Sequence, residues 1–81
     1  MDEKEDLKMT YKKLEQLFNI NLEGILHYYW KKHYNISFWV YDDKIVITGS
    51  QFRHSAFWQR YEFSYEEFVK EANDKNKLYK I

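Results

Sequence analysis

The chain has 81 residues, 13 of them Lys or Arg and 13 Asp or Glu, so it carries no formal net charge. That balance excludes a protein living on phosphate attraction alone, because nonspecific nucleic-acid affinity comes from a surplus of cations. No apolar run approaches the roughly 18 residues that a bilayer span needs, and the absence of Cys removes disulfides, thiolate metal sites and a Cys nucleophile. The expectation is one small soluble domain suited to the cytoplasm, with no cofactor, no metal and no membrane segment. The excess is aromatic: eight Tyr, six Phe and three Trp, against two Gly and no Pro. Large rings let a small domain bury enough surface to hold together, at roughly 150–250 Å² apiece. So many rings exceed one small core, which sends some to the surface, where Tyr and Trp serve as binding anchors.

In chain order, residues 1–8 (MDEKEDLK) are densely charged and read as a disordered lead-in to a single domain over 9–81. Met9 is either an ordinary residue or a second start. Thr10 stands as an N-cap before Tyr11, Leu14, Leu17, Phe18, Leu22, Ile25, Leu26 and Tyr29, an amphipathic stripe at helical spacing. This stripe is one helix or two. Asn19-Ile20-Asn21 favours a break, with Asn21 capping a second helix to about His33. The period then drops to two. Ile36, Phe38 and Val40 alternate with Ser37, Trp39 and Tyr41; Asp42-Asp43-Lys44 turns the chain; Ile45–Thr48 returns and Gly49-Ser50-Gln51 ends the hairpin. A third strand runs over Ala56–Phe63. Ser64 and Glu67 form a capping box ahead of Tyr65, Phe68, Val69 and Ala72. From Asn73 the chain turns polar, with Leu78, Tyr79 and Ile81 as a docking or loose tail. The expected fold is α+β: an N-terminal helix or pair of helices, a three-stranded antiparallel meander and a C-terminal helix.

Alternation assigns the sheet faces. Phe38, Val40, Ile45, Ile47, Phe57, Tyr61 and Phe63 turn one way, and Trp39, Tyr41, Val46, Trp58 and Arg60 the other. The second set is a binding platform unless a helix covers it. Open, it suits base stacking or a protein hot spot, and the even charge favours protein. The last helix offers Glu62, Glu66, Glu67, Glu71 and Asp74 against Lys70. Such a strip is either a solvated face or a surface that imitates phosphates in a partner's basic groove. On the second view, charge reversal at Glu66, Glu67 and Glu71 weakens binding and leaves the fold intact. Enzyme chemistry has little to stand on. His27 and His33 are six apart, off one metal-binding face. His54 with Arg53 or Arg60 and Glu62 is a conceivable nuclease set. Asp42 and Asp43 fit a turn, and Ser50 and Ser55 lack a nucleophile elbow.

Two resemblances add to this reading. Residues 11–30 resemble a helix-turn-helix, with Leu14, Phe18, Ile20, Ile25 and Tyr28 at its buried positions and the hairpin 36–48 similar to a wing. The match departs from the pattern at Glu15 and Asn19. It implies a DNA-binding regulator whose second helix presents Glu23, His27, Lys31 and Lys32 to a major groove, with Lys44 on the wing. Size, charge, the absence of Cys and the order of elements look like small phage-encoded anti-defence proteins, of which anti-CRISPR proteins are the best-known group. That resemblance implies a non-enzymatic inhibitor that blocks the nucleic-acid site of a host nuclease. Contacts would come from Glu62, Glu66, Glu67, Glu71 and Asp74, anchored by Trp39, Tyr41, Trp58 and Arg60. A homodimer is a further expectation, since a second copy covers exposed rings.

Overall fold

Thr10 opens helix α1 (Tyr11–Phe18): its hydroxyl accepts from the Lys13 amide at 3.3 Å. The computed structural model describes residues 7–50 and 58–79. At Asn19 the backbone turns left-handed (φ 54°, ψ 49°), a conformation that Asn tolerates better than most side chains. The stripe is therefore two helices. Glu15 reaches across the turn to accept from the Leu22 amide at 2.9 Å, and Asn21 Oδ1 accepts from the Glu23 amide at 2.8 Å. These two acceptors cap α2 (Glu23–Trp30).

The hairpin forms as β2 (Asn35–Val40) and β3 (Lys44–Ser50), followed by β4 (Trp58–Ser64). Register pairs run Phe38↔Ile47↔Tyr61 and Trp39↔Val46↔Glu62, which fixes both faces. Phe38, Ile45 and Ile47 join Leu14, Leu22, Ile25, Leu26, Tyr29, Phe68 and Ala72 in one buried cluster, with Val40, Tyr61 and Phe63 packed against it. Phe57 lies outside the described residues. The Ser64–Glu67 box is present in both directions: Ser64 N donates to Glu67 Oε1 at 2.9 Å, and Glu67 N to Ser64 Oγ at 3.1 Å. It launches α3 (Tyr65–Tyr79).

Three expectations need correction. The lead-in ends earlier than residue 8, because β1 (Leu7–Met9) pairs antiparallel with β2, giving a four-stranded sheet in the order β1-β2-β3-β4. Met9 packs against the core while the Lys8 ammonium sits 5.9 Å above the Trp39 ring, an in-out alternation hidden by the surrounding charges. Residues 1–6 lie outside the described residues. Gly49 and Ser50 stay inside β3 instead of ending it. The His33 ring occupies the space beside Gly49, where an added Cβ would come within 2.5 Å of it. Finally, α3 does not stop near Asn73. Its second half is held by α2: Asn76 accepts from the Gly24 amide at 2.9 Å and donates to the Asn21 carbonyl at 2.8 Å. Tertiary contacts override the weak helix propensity of Asn73, Asp74 and Asn76.

Candidate functional site

All three helices contribute to the buried cluster on the inner face of the sheet, so none of them covers the outer face. There the register lines up Trp39, Val46 and Glu62 in one row and Thr48 and Arg60 in the next, with Tyr41 just past the end of β2. Val46 is 0% exposed although it points away from the core. Two interactions account for its burial. Trp39 Nε1 donates to Thr48 Oγ1 at 2.9 Å, which lays the indole against β3. Arg60 Nε donates to Glu62 Oε2 at 2.6 Å. The Glu62 bond and charge first, and Tyr41 after them, hold the guanidinium above its usual pKa. Tyr41 stands on the β2 side of Val46 and Arg60 on the β4 side. Trp58 closes the far end of this face and is 52% exposed. Trp39, Tyr41 and Arg60 thus stand around Val46, and Trp58 lies on the same face two rows away, beyond Thr48 and opposite Ser50.

The acidic residues divide differently. Glu62, Glu67, Glu71 and Asp74, with Phe63 and Lys70, line a cleft of about 360 Å³ between β4 and α3. Glu66 lies outside it. Most of these carboxylates already have structural work. Glu62 pairs with Arg60 and with Lys44 at 3.4 Å, and the Arg60 bond first, then Lys44, lowers its pKa. Glu67 caps α3, and Glu71 pairs with Lys75 at 2.9 Å and accepts from the Tyr29 hydroxyl at 3.3 Å. Charge reversal at Glu66, Glu67 and Glu71 together would remove the Glu67 cap and the Glu71 contacts along with the charge. Among the described residues, Glu66 and Asp74 are the strip's two carboxylates with no ion-pair or hydrogen-bond partner.

The residues of the DNA-binding reading are also accounted for. The left-handed turn at Asn19 separates α1 from α2. His27 packs its ring against Tyr79 of α3 (5.5 Å between centroids), and the Lys31 ammonium sits 5.0 Å over the same ring. Lys32 Nζ donates to the Tyr28 hydroxyl at 2.8 Å. Lys44 stands on the opposite side of the sheet, beside Glu62 and Tyr41. The hairpin occupies the middle of the sheet, flanked by β1 and β4, and does not project as a wing. Arg53, His54 and Ser55 of the nuclease reading lie outside the described residues.

Sequence reasoning missed two features. A second, mainly apolar cleft of about 430 Å³ opens between β1, β2 and α2, walled by Met9, Tyr11, Leu26, Trp30, Ile36 and Phe38. Its one sequence signal is Trp30, an exposed ring off the buried stripe of α2. A polar seam also enters the core. His33 Nε2 and the Tyr61 hydroxyl share a 2.7 Å hydrogen bond, Tyr61 packs on Tyr29 at 4.9 Å, and Tyr29 reaches Glu71. Burial first, and then the Glu71 charge, push the Tyr29 hydroxyl well above its ordinary pKa. None of the described helices is long and apolar enough to cross a membrane. No protein-family model, no curated protein and no solved structure matches this chain.

Proposed function

We propose that this chain is a small, non-enzymatic protein-binding module that inhibits or modulates its partner, and that the partner docks on the outer face of the sheet. The observation that carries this reading is the composition of that face: Trp39, Tyr41, Trp58 and Arg60 share one side of the sheet, with no helix of the described fold laid over them. Trp, Tyr and Arg are the residues in which protein hot spots are enriched. Glu62 offsets one of the three cations there, Arg60, Lys44 and Lys8, which leaves a surplus too small for the many phosphate contacts of a strong nucleic-acid binder and argues for protein. A basic groove of a nucleic-acid-processing enzyme is the partner class that the acidic cleft beside β4 would suit. Among the described residues, Asp74 is the cleft carboxylate without a partner and Glu66 adds a charge outside the cleft; the paired carboxylates supply little.

The test is capture from lysate, with and without nuclease, by the native chain and by Trp39→Ala and Trp58→Ala variants whose circular dichroism is native. One stoichiometric protein that survives nuclease and is lost with either variant is the expected result. Truncating a central ring should cost about 2 kcal/mol or more of binding. Equal capture by native and variant chains would remove the outer face as the docking surface.

A further inference from the structure

We infer that β4 is a self-pairing edge through which two copies of this chain join their sheets. The surface is the strand edge, not the outer face, and the inference does not rest on the function proposed above.

The sheet has two edges, β1 and β4. β1 pairs with β2 over Leu7–Met9 among the described residues. β4 carries few of the protections of an edge strand, and its two charges, Arg60 and Glu62, are of opposite sign. It is seven residues long and keeps an unbroken register with β3 from Lys44↔Ser64 to Ser50↔Trp58, so no bulge twists its edge away. The strand contains neither Pro nor Lys. Trp58, Gln59, Arg60 and Glu62 are exposed, and among the described residues β3 alone pairs with it.

Charge selects the register. When two identical antiparallel strands pair about a two-fold axis, one residue must face its own copy, and every other pair is then set. Centring on Arg60 opposes two guanidinium groups, and centring on Glu62 opposes two carboxylates. Like charges directly opposite are destabilising. Centring on Tyr61 sets Arg60 opposite Glu62 of the second copy, twice. It also matches Gln59 with Phe63 and Trp58 with Ser64, and it is the one register that pairs all seven residues. Arg60 and Glu62 are already oriented together on the outer face, 2.6 Å apart. The product is an eight-stranded sheet crossed at its centre by alternating charges, with two copies of the outer face side by side.

Sedimentation equilibrium over a concentration series tests this. The native chain should approach twice the 10.2 kDa of one copy. Arg60→Glu and Glu62→Arg, each with native circular dichroism, should self-associate about tenfold or more weakly, because each sets like charges opposite one another. Mixed one to one, the two variants should dimerise again, since the two acidic positions of one then face the two basic positions of the other. A second readout uses the absence of native cysteine. Arg60→Cys mixed with Glu62→Cys should form a disulfide-linked heterodimer in several-fold higher yield than either alone. A native chain that stays monomeric overturns the inference. So do charge variants that dimerise as well as the native chain, the signature of pairing through another surface, and a mixture that stays monomeric.

Discussion

Gly24 is the residue on which the packing of two helices turns. A Cβ there would lie 2.4 Å from the Lys75 carbonyl carbon and 2.5 Å from the Asn76 nitrogen, so α2 and α3 meet backbone to backbone. The obstacle is main chain and cannot rotate aside. Gly24→Ala gains about 1 kcal/mol of helix propensity but should lose about 1–3 kcal/mol to overpacking; a net drop in the chemical denaturation midpoint is expected. Tyr29 controls a pH dependence. Its hydroxyl is raised from an ordinary value of 10.0, by burial first and Glu71 next. The folded state therefore holds this proton more tightly than the unfolded chain does. That contribution is complete below pH 10 and is lost as pH rises through the higher folded value. A denaturation series from pH 8 upward should show stability falling above pH 10, and Tyr29→Phe should flatten the fall.

At the scale of elements, legibility in the sequence follows the range of the interactions. The capping box spans three residues, and both of its bonds form as the pattern predicts. Ser64→Ala should cost about 1 kcal/mol, read as a lowered melting temperature. Thr10 and the break at Asn19 are equally local, and both were readable. The second half of α3 was not. Asn73, Asp74 and Asn76 are weak helix formers, and what keeps them helical is a pair of hydrogen bonds to residues 52 and 55 positions earlier. β1 was hidden for a related reason. Three residues carry too little periodicity to register, and the strand exists because β2 offers it a partner.

For the whole molecule, strict alternation was enough to sort the sheet's two faces, because a strand leaves each side chain only two directions. Where the helices would settle was not readable, since their stripes say that they bury a face but not which sheet face receives it. The acidic strip shows the opposite failure. Five carboxylates in sequence suggested one charged surface, but Arg60 and Lys75 on the same elements, and Lys44 and Tyr29 from other elements, engage Glu62 and Glu71. A clean probe of the remainder is Glu66→Lys with Asp74→Lys, which spares the cap and the Tyr29 bond. If the outer face anchors the partner, this variant should slow association and leave dissociation nearly unchanged, as rim charges do. Surface plasmon resonance against the captured protein separates the two rates.

The Asn76 clamp also sets an order of events. During synthesis Gly24 and its amide appear 52 residues before the side chain that accepts from it, an interval of roughly 3–10 s at ordinary elongation rates. Through that interval α2 has its first-turn bonds to Glu15 and Asn21, but no α3 beside Gly24. The β2–β3–β4 meander, whose pairings are all between neighbours in sequence, needs no such long-range partner. The clamp is therefore the contact of α2 that waits longest, because it joins α3 to the turn ahead of α2.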